Sequence, residues 1–97
     1  MITFKDNSYN DTSGTIDGNV EFDNNSKNKG DIVGDVTFKN SSLNFYTAQI
    51  GGNCTFHNNA VNGGAITGDV TFHDKSYNDC VGAERSGIIT GDCEFNE

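Results

Sequence analysis

Gly34-Asp35-Val36-Thr37-Phe38 decides the fold, because the chain keeps returning to it. It recurs as Gly18-Asn19-Val20-Glu21-Phe22, Gly52-Asn53-Cys54-Thr55-Phe56, Gly68-Asp69-Val70-Thr71-Phe72 and Gly91-Asp92-Cys93-Glu94-Phe95, and Ile2-Thr3-Phe4 is the same strand without its turn. A period-two strand puts Val (or Ile, Cys) and Phe on one face and Thr or Glu on the other. The expected inward column is therefore Phe4, Phe22, Phe38, Phe56, Phe72 and Phe95. Repetition on this scale marks a solenoid, in which each repeat buries its apolar face only against its neighbours.

Outward from that strand, each repeat carries two more pieces. The first is Ser8-Tyr9-Asn10, Ser26-Lys27-Asn28, Ser42-Leu43-Asn44, Ala60-Val61-Asn62 and Ser76-Tyr77-Asn78. Its central residue changes character freely, so it faces outward. The flanking Ser and Asn hardly change and read as inward or as a tight corner. Asn suits either an amide ladder along the stack or left-handed corner geometry, and the sequence leaves both roles open. The last piece centres on Ile16, Ile32, Ile50, Ile66 and Ile89, which complete the interior. Gly is assigned positive φ at the corner, and Asp or Asn a side-chain bond to the backbone.

These pieces predict an all-β chain: one domain over 1–97, a three-sided parallel β-solenoid. Its coils are 2–19, 20–35, 36–53, 54–69 and 70–92, with a partial coil at 93–97. The coils run 18, 16, 18, 16 and 23 residues. The irregular lengths break the six-residue period of left-handed hexapeptide helices, which favours a right-handed stack. The length differences fall between the Asn and the Ile, and the longest such segment is 79–88.

Composition agrees with a solenoid. Only 33% of residues are hydrophobic and mean hydropathy is -0.58, poor for an ordinary core of 97 residues. Disorder is disfavoured because Phe, Val and Ile recur in register and proline is absent. A net charge of -8 disfavours nucleic acid and anionic membranes. No apolar run is long enough for a spanning helix. Cys54 and Cys93 hold the Val position and read as small buried hydrophobes two coils apart, too far for a bridge. Cys80 falls in the long loop.

The pattern Gly-Asp-Val-Thr-Phe-x-x-x-Ser-x-Asn resembles short-coil β-solenoid repeats of bacterial surface proteins and adhesins, viral or phage fibres and bactofilin-like polymers. That resemblance implies a structural, adhesive or filament role without catalysis. It carries over no site residue.

Candidate sites are few. His57 and His73 hold one position in adjacent coils, about 5 Å apart at sheet spacing, close enough to share a metal. The same column also holds Lys5, Asp23, Lys39 and Asn96, which favours two corner residues instead. Asn19, Asp35, Asn53, Asp69 and Asp92 offer oxygens that suit Ca²⁺, but turn capping accounts for them and no cofactor is expected. The loop residues Asp79, Cys80, Glu84 and Arg85 lack a placed base for a Cys nucleophile, and no enzyme is expected.

The leading expectation is a repeat module that stacks end to end through Phe4 at one end and Phe95 at the other, giving a homo-oligomer or filament. Its warrant is that the chain starts on a first strand and stops one strand into a sixth coil. The alternative is a rigid binding module that offers Tyr9, Tyr77, Phe45, Tyr46 and the 79–88 loop (Cys80, Glu84, Arg85) to a glycan or protein partner. The architecture favours a cell-surface or virion-fibre location, and free cysteines fit the cytoplasm as well.

Overall fold

The computed structural model describes residues 2–11, 15–45, 48–78 and 88–96. Its strands come in successive triplets, one strand for each side of the stack. The first coil carries β1 (Ile2–Phe4), β2 (Tyr9–Asn10) and β3 (Thr15–Asp17), and the second β4 (Val20–Phe22), β5 (Lys27–Asn28) and β6 (Asp31–Val33). The third carries β7 (Val36–Phe38), β8 (Leu43–Asn44) and β9 (Gln49–Ile50), and the fourth β10 (Cys54–Phe56), β11 (Val61–Asn62) and β12 (Ala65–Ile66). β13 (Val70–His73), β14 (Tyr77–Asn78), β15 (Ile88–Ile89) and β16 (Cys93–Asn96) follow.

All strand pairs are parallel, and they build three sheets. Sheet one runs β1-β4-β7-β10-β13-β16, sheet two β2-β5-β8-β11-β14 and sheet three β3-β6-β9-β12-β15. Register follows the repeat residue for residue: Phe22 pairs with Phe38, Asn28 with Asn44, and Ile32 with Ile50. The fold is thus a three-sided parallel β-solenoid. Its extents of 29 × 24 × 23 Å make it a stub rather than a long rod.

The interior consists of columns. Phe4, Phe22, Phe38, Phe56, Phe72 and Phe95 stack with ring centroids 4.7–4.9 Å apart. Full burial of each interior Phe contributes about 1.5–3 kcal/mol. Val20, Val36, Cys54 and Val70 lie beside them, and Ile32, Ile50 and Ile66 close the third side. Ile16 and Ile89, in the first and last coils, are only partly buried.

The two roles open to Asn belong to two different columns. Asn10, Asn28, Asn44 and Asn62 are buried, and each Nδ2 donates to the Oδ1 one coil on, at 2.7, 2.9, 2.8 and 2.8 Å, ending on Asn78. Left-handed geometry belongs instead to the corner after sheet one, at Asp6, Asn7, Asn24, Asn25, Asn40, Asn58 and Asp74. There Asn24 donates to Asp6, Asn40 to Asn24, and Asn58 to Asn40, so this outer ladder points the opposite way along the stack.

Two expectations need correction. Positive φ explains the corner glycines only at Gly18 (139°) and Gly34 (148°). Close approach governs the rest of the column: a Cβ on Gly52 would lie 2.1 Å from the Gly34 carbonyl oxygen. Cys93 is exposed rather than buried. It lies on the outermost strand of sheet one, whereas Cys54 has a neighbouring strand on each side and is buried.

Candidate functional site

The face at β16 and the face at β1 are where the interior columns meet solvent. Phe95 is 61% exposed and Ile2 45%, whereas Phe22, Phe38 and Phe56 are at 0%. Phe95 still stacks on Phe72 at 4.9 Å and keeps the register of the layers below it. Phe4 is partly buried against Phe22. Among the described residues, the Phe4 and Phe95 layers thus keep interior geometry and stack on a Phe neighbour from one side.

The outward residues of sheet one are arranged in two parallel columns. Glu21 occupies the Thr column, and Lys39, one coil further and just after β7, reaches back to it with Nζ–Oε2 of 2.6 Å. The Glu21 carboxylate raises the Lys39 pKa, by hydrogen bond first and by charge second. Glu94 stands in the column of Glu21, and Lys5 in the column of Lys39.

His57 and His73 are brought together as spacing implies, with ring centroids 4.7 Å apart and planes 6° from parallel. Burial lowers the His57 pKa first, the His73 ring and Lys39 lower it further, and Asp74 opposes them. Among the described residues, no group of three or more His, Cys, Asp and Glu side chains is placed to hold a metal ion. In the corner column offered for Ca²⁺, the Oδ1 atoms of the first four residues are engaged. Those of Asn19, Asp35, Asn53 and Asp69 accept the backbone N–H of the corner residue one coil on, at 3.1, 3.0, 2.9 and 3.0 Å. This is capping, but of the next coil rather than of the residue's own turn. Burial raises the Cys54 thiol pKa far above its ordinary range, so it is not a ready nucleophile.

The aromatics of the binding reading are not one platform. Tyr9 and Tyr77 belong to the same outward column but lie at its two ends, with Lys27, Leu43 and Val61 between them. At sheet spacing that is about 19 Å. The Lys29 Nζ sits between two rings, 4.8 Å from the Tyr9 centroid and 5.0 Å from that of Phe45, and Lys27 Nζ lies 5.2 Å from Tyr9. Phe45 is half-buried. Tyr46, Cys80, Glu84 and Arg85 lie outside the described residues. Sequence reasoning missed the Lys29 clamp, because the residue sits in a corner whose length varies from coil to coil.

Comparison of the chain with protein-family models, with curated proteins and with solved structures finds no match. No helix among the described residues is long and apolar enough to cross a membrane. The architecture by itself is that of a compact structural repeat module.

Proposed function

We propose that this chain is a non-catalytic structural module that stacks with further copies of itself, head to tail, as part of a fibre or adhesin shaft. The observation that carries this reading is the uniformity of the stack: one Phe column runs in a single parallel register from Phe4 to Phe95, so each layer is a template for another of its own pattern. Covering such a layer with another of the same pattern returns the free energy that interior Phe residues already supply, about 1.5–3 kcal/mol each. Open sheet edges add backbone pairing. Head-to-tail contact uses two different surfaces, and repeated along one straight stack axis it extends as a filament instead of closing into a ring.

Charge supports the same partner. Within the chain, Glu21 is followed one coil later by Lys39, and the two form an ion pair. A copy laid with β1 on β16 sets its Lys5 one coil beyond Glu94, in the same two columns and the same order. Such a role fits a cell surface or a virion fibre.

Light scattering and electron microscopy against concentration test the reading. Growth should weaken in Glu94→Lys and in Lys5→Glu and return when the two variants are mixed. Material that stays monomeric at high concentration removes self-stacking.

A further inference from the structure

The chain has two histidines, and both stand in one outward column in adjacent layers. His57 directly follows β10 and His73 ends β13, each next to the paired Phe56 and Phe72. Parallel pairing in register holds their backbones one strand spacing apart, about 4.8 Å. The rings lie face to face at 4.7 Å and are half-buried. The interior does not require imidazole at this position, since the same column takes Lys5, Asp23, Lys39 and Asn96.

We propose that His57 and His73 form a two-imidazole site for a borderline divalent transition-metal cation of the zinc, nickel or copper class. The site lies in the middle of the stack's outer surface and does not depend on the stacking reading.

The pair is held at chelating reach but not yet converged. Metal–imidazole bonds of about 2.0–2.1 Å bring two ligating nitrogens to about 3 Å from each other. Rings parallel at 4.7 Å do not point at one ion, so both must turn out of the stack. Each has two side-chain torsions for this, and the strands beneath need not move. Water completes the coordination, since among the described residues no third His, Cys, Asp or Glu stands in ligating position.

The surrounding charges suit a cation. Lys39 occupies the same column one layer before His57, and Glu21 draws its ammonium back a further layer, at 2.6 Å. Asp74 follows His73, and its Oδ2 accepts the Asn58 N–H at 3.3 Å, which turns the carboxylate toward the layer of His57. The Asp74 charge is felt at the His57 ring. Burial and the neighbouring ring keep His57 neutral at neutral pH, the form that ligates. Imidazole favours zinc, nickel and copper, whereas magnesium and calcium want oxygen.

A zinc titration of the whole chain at neutral pH, followed by the ring-nitrogen resonances of the two histidines, tests this. Both rings should shift along one saturable curve, and magnesium should move neither. His73→Asn should move the His57 midpoint about tenfold or more to higher zinc, because a second nitrogen on the same scaffold acts as an intramolecular ligand. His57→Asn should do the same to His73. The column already accepts asparagine at Asn96, and the urea midpoint without zinc shows that each variant folds. Rings that titrate independently, or a His57 midpoint unmoved by His73→Asn, overturn the proposal. An equal response to magnesium overturns it as well.

Discussion

Replacing Asn44 with alanine should cost about 2–4 kcal/mol of folding stability. Asn44 is fully buried, accepts from Asn28 Nδ2 at 2.9 Å and donates to Asn62 Oδ1 at 2.8 Å. Truncation strands the Asn28 donor, which costs about 1–3 kcal/mol for a buried group. Asn62 Oδ1 loses less, because it still accepts the Gly64 N–H at 3.1 Å. Stability of a domain is only about 5–15 kcal/mol, so the loss is a large share of the total. Urea unfolding followed by circular dichroism is the assay. With a slope of about 1–3 kcal/mol per molar, the midpoint should fall by about 1–2 M. Asn44→Leu restores bulk without restoring either bond and should remain close to the alanine variant. A leucine variant as stable as the parent would refute the ladder, showing that the column needs only volume. Asn78→Ala, at the half-buried last described rung, should cost less than Asn44→Ala.

Ser42→Ala should be neutral or slightly stabilising in the same titration, since Ser42 Oγ is buried with no hydrogen-bond partner among the described residues and Ala60 already fills the equivalent position. Ser26→Ala, which gives up a 3.1 Å bond to the Phe4 carbonyl, should cost about 1 kcal/mol. Gly52→Ala should abolish folding or lower Tm steeply, because its Cβ would meet the Gly34 carbonyl oxygen at 2.1 Å, while Gly51→Ala, whose nearest neighbour is at 3.9 Å, should be tolerated. Stability should also fall in mild acid. The folded-state pKa of His57 lies below its ordinary 6.5, so its contribution is fully present above that value and is lost as pH falls below it. Thermal melts from pH 7.5 to 5 should show the decline, and His57→Asn should flatten it.

The fold was legible because the columns are homogeneous. A Phe at every Gly-x-Val-x-Phe and an Ile two residues before each Gly leave one way to wind the chain. Asn was harder. Both its roles are backbone-compatible, and only coordinates separate Asn44, in a strand with its amide inward, from Asn40, at φ 59° on a corner. Cys93 was misread because repeat position predicts burial only where a coil lies on both sides. The glycine column was misattributed because φ and close approach select the same residue. Which of the charged residues pair across coils also lay beyond the sequence. Glu21 and Lys39 are in different columns, and their contact depends on the diagonal reach of a long side chain.

The alternation of coil length has a mechanical consequence. Each coil is held to the next by parallel strand pairs on three sides and by amide ladders along the stack, with no disulfide between layers among the described residues. A pull on the two chain ends would therefore peel layers in sequence from the outside inward. Coils of 16 and 18 residues would release about 55–60 Å of extended chain apiece. Under load the first four coils yield in near-equal steps and the longer coil 70–92 in a larger one, each step dissipating the pairing of one layer while the layers beneath stay folded.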